Sequence, residues 1–338
     1  QIPAAGPPDT LQIGQVRAWS LGTDDALDHS PYYSPDGDSI AFSGGIAGAR
    51  IWIRASDGSG TARQVTFGDG SFRDWYGNFS PDGRKLCFSS DRDGVDRLWT
   101  VSLDDGELKP LAELGMSMGN VPPAWSPDGS RIAYTALVDG NRDIYTISPD
   151  GGAPRRITND PLNDDFPTWA ADSQTLFYVS ARDSDSIWQI PSTGGNPWSI
   201  PTGKTSVIGP KPSPDGRWLL FRAGPGGIWH TWIIPSEGGE ALSVTTADSV
   251  QGWAPDWAPD GTHIAYTRGL RGGAGELVVF AGASGTSRTL ADSIVTFAAG
   301  PFWSPDGTRI TCMSMQRDLL VVDVATGNID TLATIDQH

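Results

Sequence analysis

The chain is poor in cysteine, histidine and positive charge, and it has no long apolar run. Two cysteines in 338 residues, Cys87 and Cys312, are too few for a disulfide scaffold or a thiolate metal site. The four histidines show no HExxH-type spacing, which argues against a zinc centre. Lys and Arg total 24 against 40 Asp and Glu, a net charge of −16 with His neutral, and no Lys/Arg cluster offsets it. Such a surface repels a phosphate backbone, so nucleic acid is excluded as a partner. No stretch approaches roughly 18 uncharged apolar residues, so no transmembrane segment is expected, and the charged-then-apolar start of a signal peptide is missing. The chain begins at Gln instead of Met. That suits a mature product whose leader has been removed, or a trimmed chain, and the expected location is extracytoplasmic, periplasmic or secreted.

The 42 Gly and 26 Pro stand beside 14 Trp, 11 Phe and 7 Tyr, which describes many tight turns with large apolar side chains to bury. The tetrapeptide SPDG begins at Ser34, Ser80, Ser126, Ser213 and Ser304, with degenerate copies AADS at Ala170 and APDG at Ala258. Successive starts lie 46, 46, 44, 43, 45 and 46 residues apart, a period that belongs to propeller blades or helical arrays. Each motif is followed by a β-type run, as in SIAFSG, KLCFSS and RIAYTA, and after a polar gap by another, as in RIWIRAS, RLWTVSL and DIYTISP. A third short run and an aromatic segment ahead of the motif complete a four-stranded antiparallel meander, strands A to D. Pro, Asp and Gly in SPDG suit the A–B hairpin turn, so the motif aspartates are expected to form turns. The residues just before each motif, Tyr33, Phe79, Trp125, Trp169, Pro212, Trp257 and Trp303, recur too regularly to be seven ligand sites and are expected to pack between blades. Cys87 and Cys312 are expected to be two buried thiols. The fold class is therefore all-β, a single seven-bladed β-propeller of four-stranded antiparallel blades. Residues 1–13 form an N-terminal tail and 14–338 the propeller. The segment 14–20 is a closing strand that joins blade seven beside, or in place of, its last C-terminal run.

An aromatic, SPDG, an IAF/IAY strand, a polar loop such as SSDRDG, and an IY/IW strand followed by DGG together resemble the WD40-like PD40 repeat of TolB-type propellers, over roughly residues 28–334. The resemblance implies the fold more than the function, because related propellers serve as protein-interaction platforms, as accessory domains of serine peptidases and as polysaccharide lyases. GASGT at 282–286 does not sit in the strand-to-helix context of a nucleophile elbow, so a covalent peptidase is not expected.

In such a meander the D–A and B–C loops share one face and the SPDG turns the other. Six residues before each motif stand Asp28, Asp74, Asn120, Asp164, Val207, Gly252 and Ala298, four polar positions and then three apolar or small ones. The polar arc of Asp28, Asp74, Asn120 and Asp164 is the candidate metal set, with calcium the cation it would take, although no cofactor is required. Solvated loop residues or turn caps are the plain alternative. Asp74, Trp75, Asn120, Trp229, His230 and Trp253 are the candidate ligand-binding residues, and His29 and Tyr76 the candidate catalytic pair, base and proton donor. The leading expectation is a noncatalytic binding platform for protein, peptide or carbohydrate. The alternative is a polysaccharide lyase or glycoside hydrolase using the same face, and the sequence leaves open whether there is an enzyme at all. A monomer is expected, with Trp198 and Trp218 marking where a subunit interface would form.

Overall fold

The computed structural model describes residues 17–20, 29–44, 49–69, 72–115, 122–225, 228–245, 251–269, 274–295, 300–314 and 318–334. They form seven antiparallel sheets around a central channel, six of four strands and one of five. The expected architecture is the observed one. Within each blade the strands pair in chain order A–B–C–D, and the A strands, such as Asp74–Phe79 in blade 2 and Gln251–Trp257 in blade 6, lie innermost. Blade 7 draws all four of its own strands from the C-terminal end. Arg17–Ser20 adds a fifth, parallel to Ile329–Thr334. The closing strand thus lies beside the last C-terminal run and replaces nothing, while the expected tail, 1–13, lies outside the described residues.

The B strands show why the runs after each SPDG are apolar throughout. A blade is buried on both faces, so alternate residues serve opposite neighbours. In Lys85–Ser90, Leu86 and Phe88 pack toward blade 1 while Cys87 packs toward blade 3. Seven hydrophobic clusters result, one at each blade junction. The junction of blades 7 and 1 is built from Ile40, Phe42, Leu319, Val321 and Leu332, and Arg309 reinforces it by donating to the Ser56 carbonyl at 3.1 Å. Cys87 and Cys312 are free and buried, in different junctions. Burial pushes the Cys312 thiol up to about 12.

The motif turns are stitched alike. The Ser hydroxyl donates to the motif Asp at 2.6 Å in Ser80–Asp82, Ser126–Asp128, Ser213–Asp215 and Ser304–Asp306. The same Ser oxygen accepts the N–H five residues on, as from Lys85 at 2.9 Å. The Ser hydrogen bond holds these carboxyls below the ordinary range, that of Asp215 at about 2. They form turns as expected. The motif glycine is left-handed, and the space beside it is filled by the proline of the preceding blade's turn: a Cβ on Gly37 would lie 3.4 Å from Pro305 and one on Gly83 3.6 Å from Pro35. Turns therefore touch around most of the ring, across the closure as well, whereas Gly216 of blade 5 has nothing within 4 Å because blade 4 carries Ala171 in place of the motif proline.

The aromatics just before the motif join neighbouring blades in a specific way. The indole N–H groups of Trp125, Trp169, Trp257 and Trp303 donate to the carbonyls of Asn78, Ala124, Lys211 and Asp256, each one blade back, at 3.0 to 3.3 Å. One step further back, six blades carry a buried proline: Pro31, Pro123, Pro167, Pro210, Pro255 and Pro301. On an innermost edge strand a missing N–H leaves no ladder partner wanting.

Candidate functional site

Two places on the ring depart from its sevenfold regularity. The first is the D–A/B–C loop face. Five A strands bulge at the same point, between the residues five and two positions ahead of the motif: His29/Tyr32, Trp75/Asn78, Asp165/Thr168, Ile208/Lys211 and Trp253/Asp256. In four of them the residue inside the bulge is left-handed, with φ of 60° at Tyr76, 58° at Phe166, 59° at Gly209 and 45° at Ala254. A non-glycine residue there carries strain of about 1–2 kcal/mol. The bulge resets the strand's alternation just below its mouth, which is why Trp75 and Tyr76 leave the packing pattern and are both only half-buried. Burial pushes the Tyr76 phenol up to about 12, so at neutral pH it is a proton donor.

The arc of residues six positions ahead of the motif is partly described, since Asp28, Asn120 and Ala298 fall outside the described residues. Asp74, Asp164, Val207 and Gly252 are all buried there, beneath the mouth and not in it. Asp74 is fully committed. Arg92 Nη2 reaches its two oxygens at 2.8 and 2.7 Å, and the Thr66 hydroxyl of the preceding blade donates to it at 2.6 Å. Thr66 in turn accepts the Ile51 N–H at 2.9 Å, so this aspartate ties strand C of blade 1 to the B–C loop of blade 2. A cation at Asp74 would have to displace Arg92. Among the described residues no three His, Cys, Asp or Glu side chains converge as a cation site.

Blade 4 repeats the arrangement imperfectly. Arg182, like Arg92, lies 18 residues after its aspartate, but it pairs with Asp160 and stands 3.8 Å from Asp164. Among the described residues no side-chain or backbone donor hydrogen-bonds the buried Asp164 carboxylate. Burial, helped by the Asp160 charge, raises this carboxyl to about 6, and the nearby Ser180, Thr158 and Arg182 only moderate the shift. Asp165 beside it is 2.8 Å from Arg142.

The remaining candidates form a second group across the ring. Arg222 stands 5.9 Å from the Trp229 ring and 5.6 Å from Trp253. Trp253 is 2% exposed and donates its indole N–H to the Gly269 carbonyl at 3.2 Å, so its ring is packed inside blade 6. His230 opens strand C of blade 5 with Nδ1 3.4 Å from the Thr245 hydroxyl. His29 pairs with Ser43 in blade 1. Trp75 and Tyr76 on blade 2 are thus in one group, and Trp229, His230 and Trp253 on blades 5 and 6 in another. Of the two interface markers, Trp198 is exposed on the outer edge and Trp218 is half-buried.

The second place is the channel wall, which sequence reasoning missed. The residues two positions ahead of the motif, Tyr32, Asn78, Ala124, Thr168, Lys211, Asp256 and Phe302, are all half-buried. Lys211 and Asp256 pair at 3.1 Å, and the rings of Tyr32 and Phe302 meet at 4.5 Å. A signal was present. The neighbouring positions are proline in six blades on one side and aromatic in six on the other, whereas this one ranges over aromatic, amide, aliphatic, hydroxyl and both charges, as a scaffold position would not. Arg92 and Arg182 carried a signal too, in the matching strings SDRD at 90–93 and SARD at 180–183.

Comparison with known proteins agrees with this architecture. The PD40 family, the TolB β-propeller domain, matches residues 114–279. The uncharacterized peptidase YuxL of Bacillus subtilis is 29% identical over 180 residues, 50% of this chain and 26% of that protein. The chain spans between 8% and 39% of the curated relatives it matches. An oligogalacturonate lyase structure from Vibrio parahaemolyticus superposes with a TM-score of 0.69 at 14% identity, covering 90% of this chain and 93% of that one. TolB from Acinetobacter baumannii gives 0.58 at 18% identity, covering 80% and 65%. The fold is thus shared by TolB and by lyase propellers. The chain is a seven-bladed β-propeller of four-stranded blades, and its residues 114–279 match the PD40 TolB β-propeller domain.

Proposed function

We propose that the D–A/B–C loop face is a binding surface for an extended polar partner, a peptide or an oligosaccharide, in an extracytoplasmic setting to which the TolB likeness lends support. One observation carries the reading. Of the seven large apolar side chains exposed among the described residues, five stand on this face: Phe67, Val95, Val138, Leu162 and Ile228. They are interleaved with charged side chains, including Arg73, Asp91, Asp139, Arg142 and Asp183. Apolar tips among charges are the composition of a recognition surface, and they cost solubility unless a partner uses them. Titration of peptide and oligosaccharide libraries tests the reading. Phe67→Ser, Ile228→Ser and Trp75→Ala should each weaken a binder found that way while leaving the melting temperature nearly unchanged. Undiminished binding in all three would refute it.

A second reading is turnover of an acidic oligosaccharide by elimination on the same face. It is favoured by the lyase match, in which this chain alone accounts for 93% of the other structure, against 57% of a puromycin hydrolase structure of the same fold. Exposed Arg73 would neutralise a substrate carboxylate, His29 as the candidate base would take the proton α to it, the glycosidic C–O bond would break as the double bond forms, and the Tyr76 phenol would protonate the leaving oxygen. Appearance of unsaturated product that is lost in Tyr76→Phe supports this reading, and its absence across uronate oligomers rejects it.

A further inference from the structure

The channel end nearest the SPDG turns holds a cavity of about 310 Å³, walled by motif residues and their neighbours: Ser34, Pro35 and Pro305 with Tyr32, Asn78, Lys211, Asp256 and Phe302. Its size falls at the small end of ligand sites, roughly 300–1,000 Å³. No lining residue comes from a D–A or B–C loop, so it is separate from the surface proposed above. One wall is apolar, formed by the Tyr32 and Phe302 rings at 4.5 Å and an angle of 51°. Beside it, on blades 5 and 6, stand one ammonium and one carboxylate 3.1 Å apart, with Lys211 Nζ also 5.6 Å from the Phe302 ring.

Both charges keep bonding capacity. An ammonium has three donors and a carboxylate about four acceptor positions, and their mutual bond uses one of each. Both are also held in place from behind, because Trp257 donates to the Lys211 carbonyl at 3.1 Å and Trp303 to the Asp256 carbonyl at 3.3 Å. A ligand with a carboxylate alone would gain Lys211 and be repelled by Asp256. One with an ammonium alone meets the reverse. A ligand with both charges a bond or two apart turns the pair into a ring of four alternating charges, with charge-assisted hydrogen bonds on each side.

We infer that this cavity is a binding site for a small zwitterion bearing an apolar or aromatic side chain, such as a free α-amino acid, with carboxylate on Lys211, ammonium on Asp256 and side chain against Tyr32 and Phe302. Calorimetric titration of the whole chain with phenylalanine, 3-phenylpropanoate, 2-phenylethylamine and glucose tests it. Phenylalanine should bind, and each compound lacking one charge should bind at least about tenfold more weakly, a difference of 1.4 kcal/mol. Lys211→Met and Asp256→Asn should erase that preference, whereas Trp75→Ala on the loop face should leave it intact. The ligand series on the unmodified protein decides the question even if a variant folds poorly. The inference is overturned by silence toward phenylalanine, by equal affinity for the single-charge compounds, by glucose binding as well as phenylalanine, or by loss of binding in Trp75→Ala. A blank library screen on the loop face with phenylalanine still bound would sink the functional reading alone.

Discussion

Replacing Arg92 by Met probes the pair that ties blades 1 and 2 together. Asp74 is 0% exposed, both its oxygens take Arg92 Nη2 at 2.8 and 2.7 Å, and the Thr66 hydroxyl donates to it at 2.6 Å. Methionine keeps an apolar stem of similar length, gives up the guanidinium that stands over the Phe72, Phe88 and Trp99 rings at 4.9 to 5.3 Å, and leaves the buried carboxylate with the Thr66 hydroxyl. Removing one partner of such a pair costs about 3–5 kcal/mol, consistent with an attraction of about 4 kcal/mol between unit charges some 4 Å apart at an effective dielectric near 20. Asp74→Asn/Arg92→Met should recover much of the loss, since no charge then remains buried. Arg182→Met offers an internal comparison. Arg182 is 3.8 Å from Asp164, and its closer partner Asp160 is 20% exposed and can turn to water, so the cost should fall to about 1–2 kcal/mol. Urea unfolding of the native chain, Asp74→Asn, Arg92→Met, the double variant and Arg182→Met in one buffer measures all of this. An Arg92→Met loss below about 1 kcal/mol, or strict additivity in the double variant, would refute the claim that the pair is a buried, mutually dependent link.

Trp169→Phe removes the N–H that reaches the Ala124 carbonyl at 3.0 Å and should cost about 1 kcal/mol or somewhat more; Trp198→Phe, at an exposed edge, should be near neutral in the same melts. Gly83→Ala should cost about 1–2 kcal/mol through its φ of 71° alone, because the nearest atom to an added Cβ is a tolerable 3.6 Å away. Ser173→Gly should be close to neutral, since relief of a φ of 58° is offset by losing the hydroxyl that accepts the Asp128 N–H at 3.0 Å. Asp164 gives stability an unusual pH slope. Its folded carboxyl lies near 6, above the ordinary 3.8, so the native chain holds the extra proton and stability falls as pH rises from about 4 to about 6, by at most about 3 kcal/mol. Asp160, held below 3.8 by Arg182 against the pull of burial, titrates beneath that window. Asp164→Asn should flatten the slope in chemical denaturation between those pH values and raise stability at pH 7; an unchanged slope would count against the assignment.

Much of the architecture was legible because a repeat writes the same physics seven times. The SPDG turns, the apolar B strands and the aromatics before each motif are governed by bonding within one hairpin or by burial on both faces of a blade, and both leave a fixed spacing in the chain. The candidate site was less legible for the opposite reason. Asp74 and Asp164 share an offset and look alike in sequence, yet one is neutralised by Arg92 and the other is a buried carboxyl near 6 whose arginine stands off at 3.8 Å, because the arginine 18 residues on finds a competing partner, Asp160, in blade 4. Trp253 departs from the repeat pattern and was expected to reach ligand, but its ring is 2% exposed, with its N–H on the Gly269 carbonyl inside blade 6.

By itself, then, the sequence determined the number of blades, the turn chemistry and the two-sided burial, since each depends on contacts a few residues apart or on a period the chain displays. Only the tertiary structure decided what faces the channel. Tyr32 and Phe302, 270 positions apart in the chain, meet at 4.5 Å, and Lys211 pairs with Asp256 across a blade boundary. Those meetings depend on closure of the ring and on a bulge that resets strand alternation, and neither can be read from any single stretch of residues.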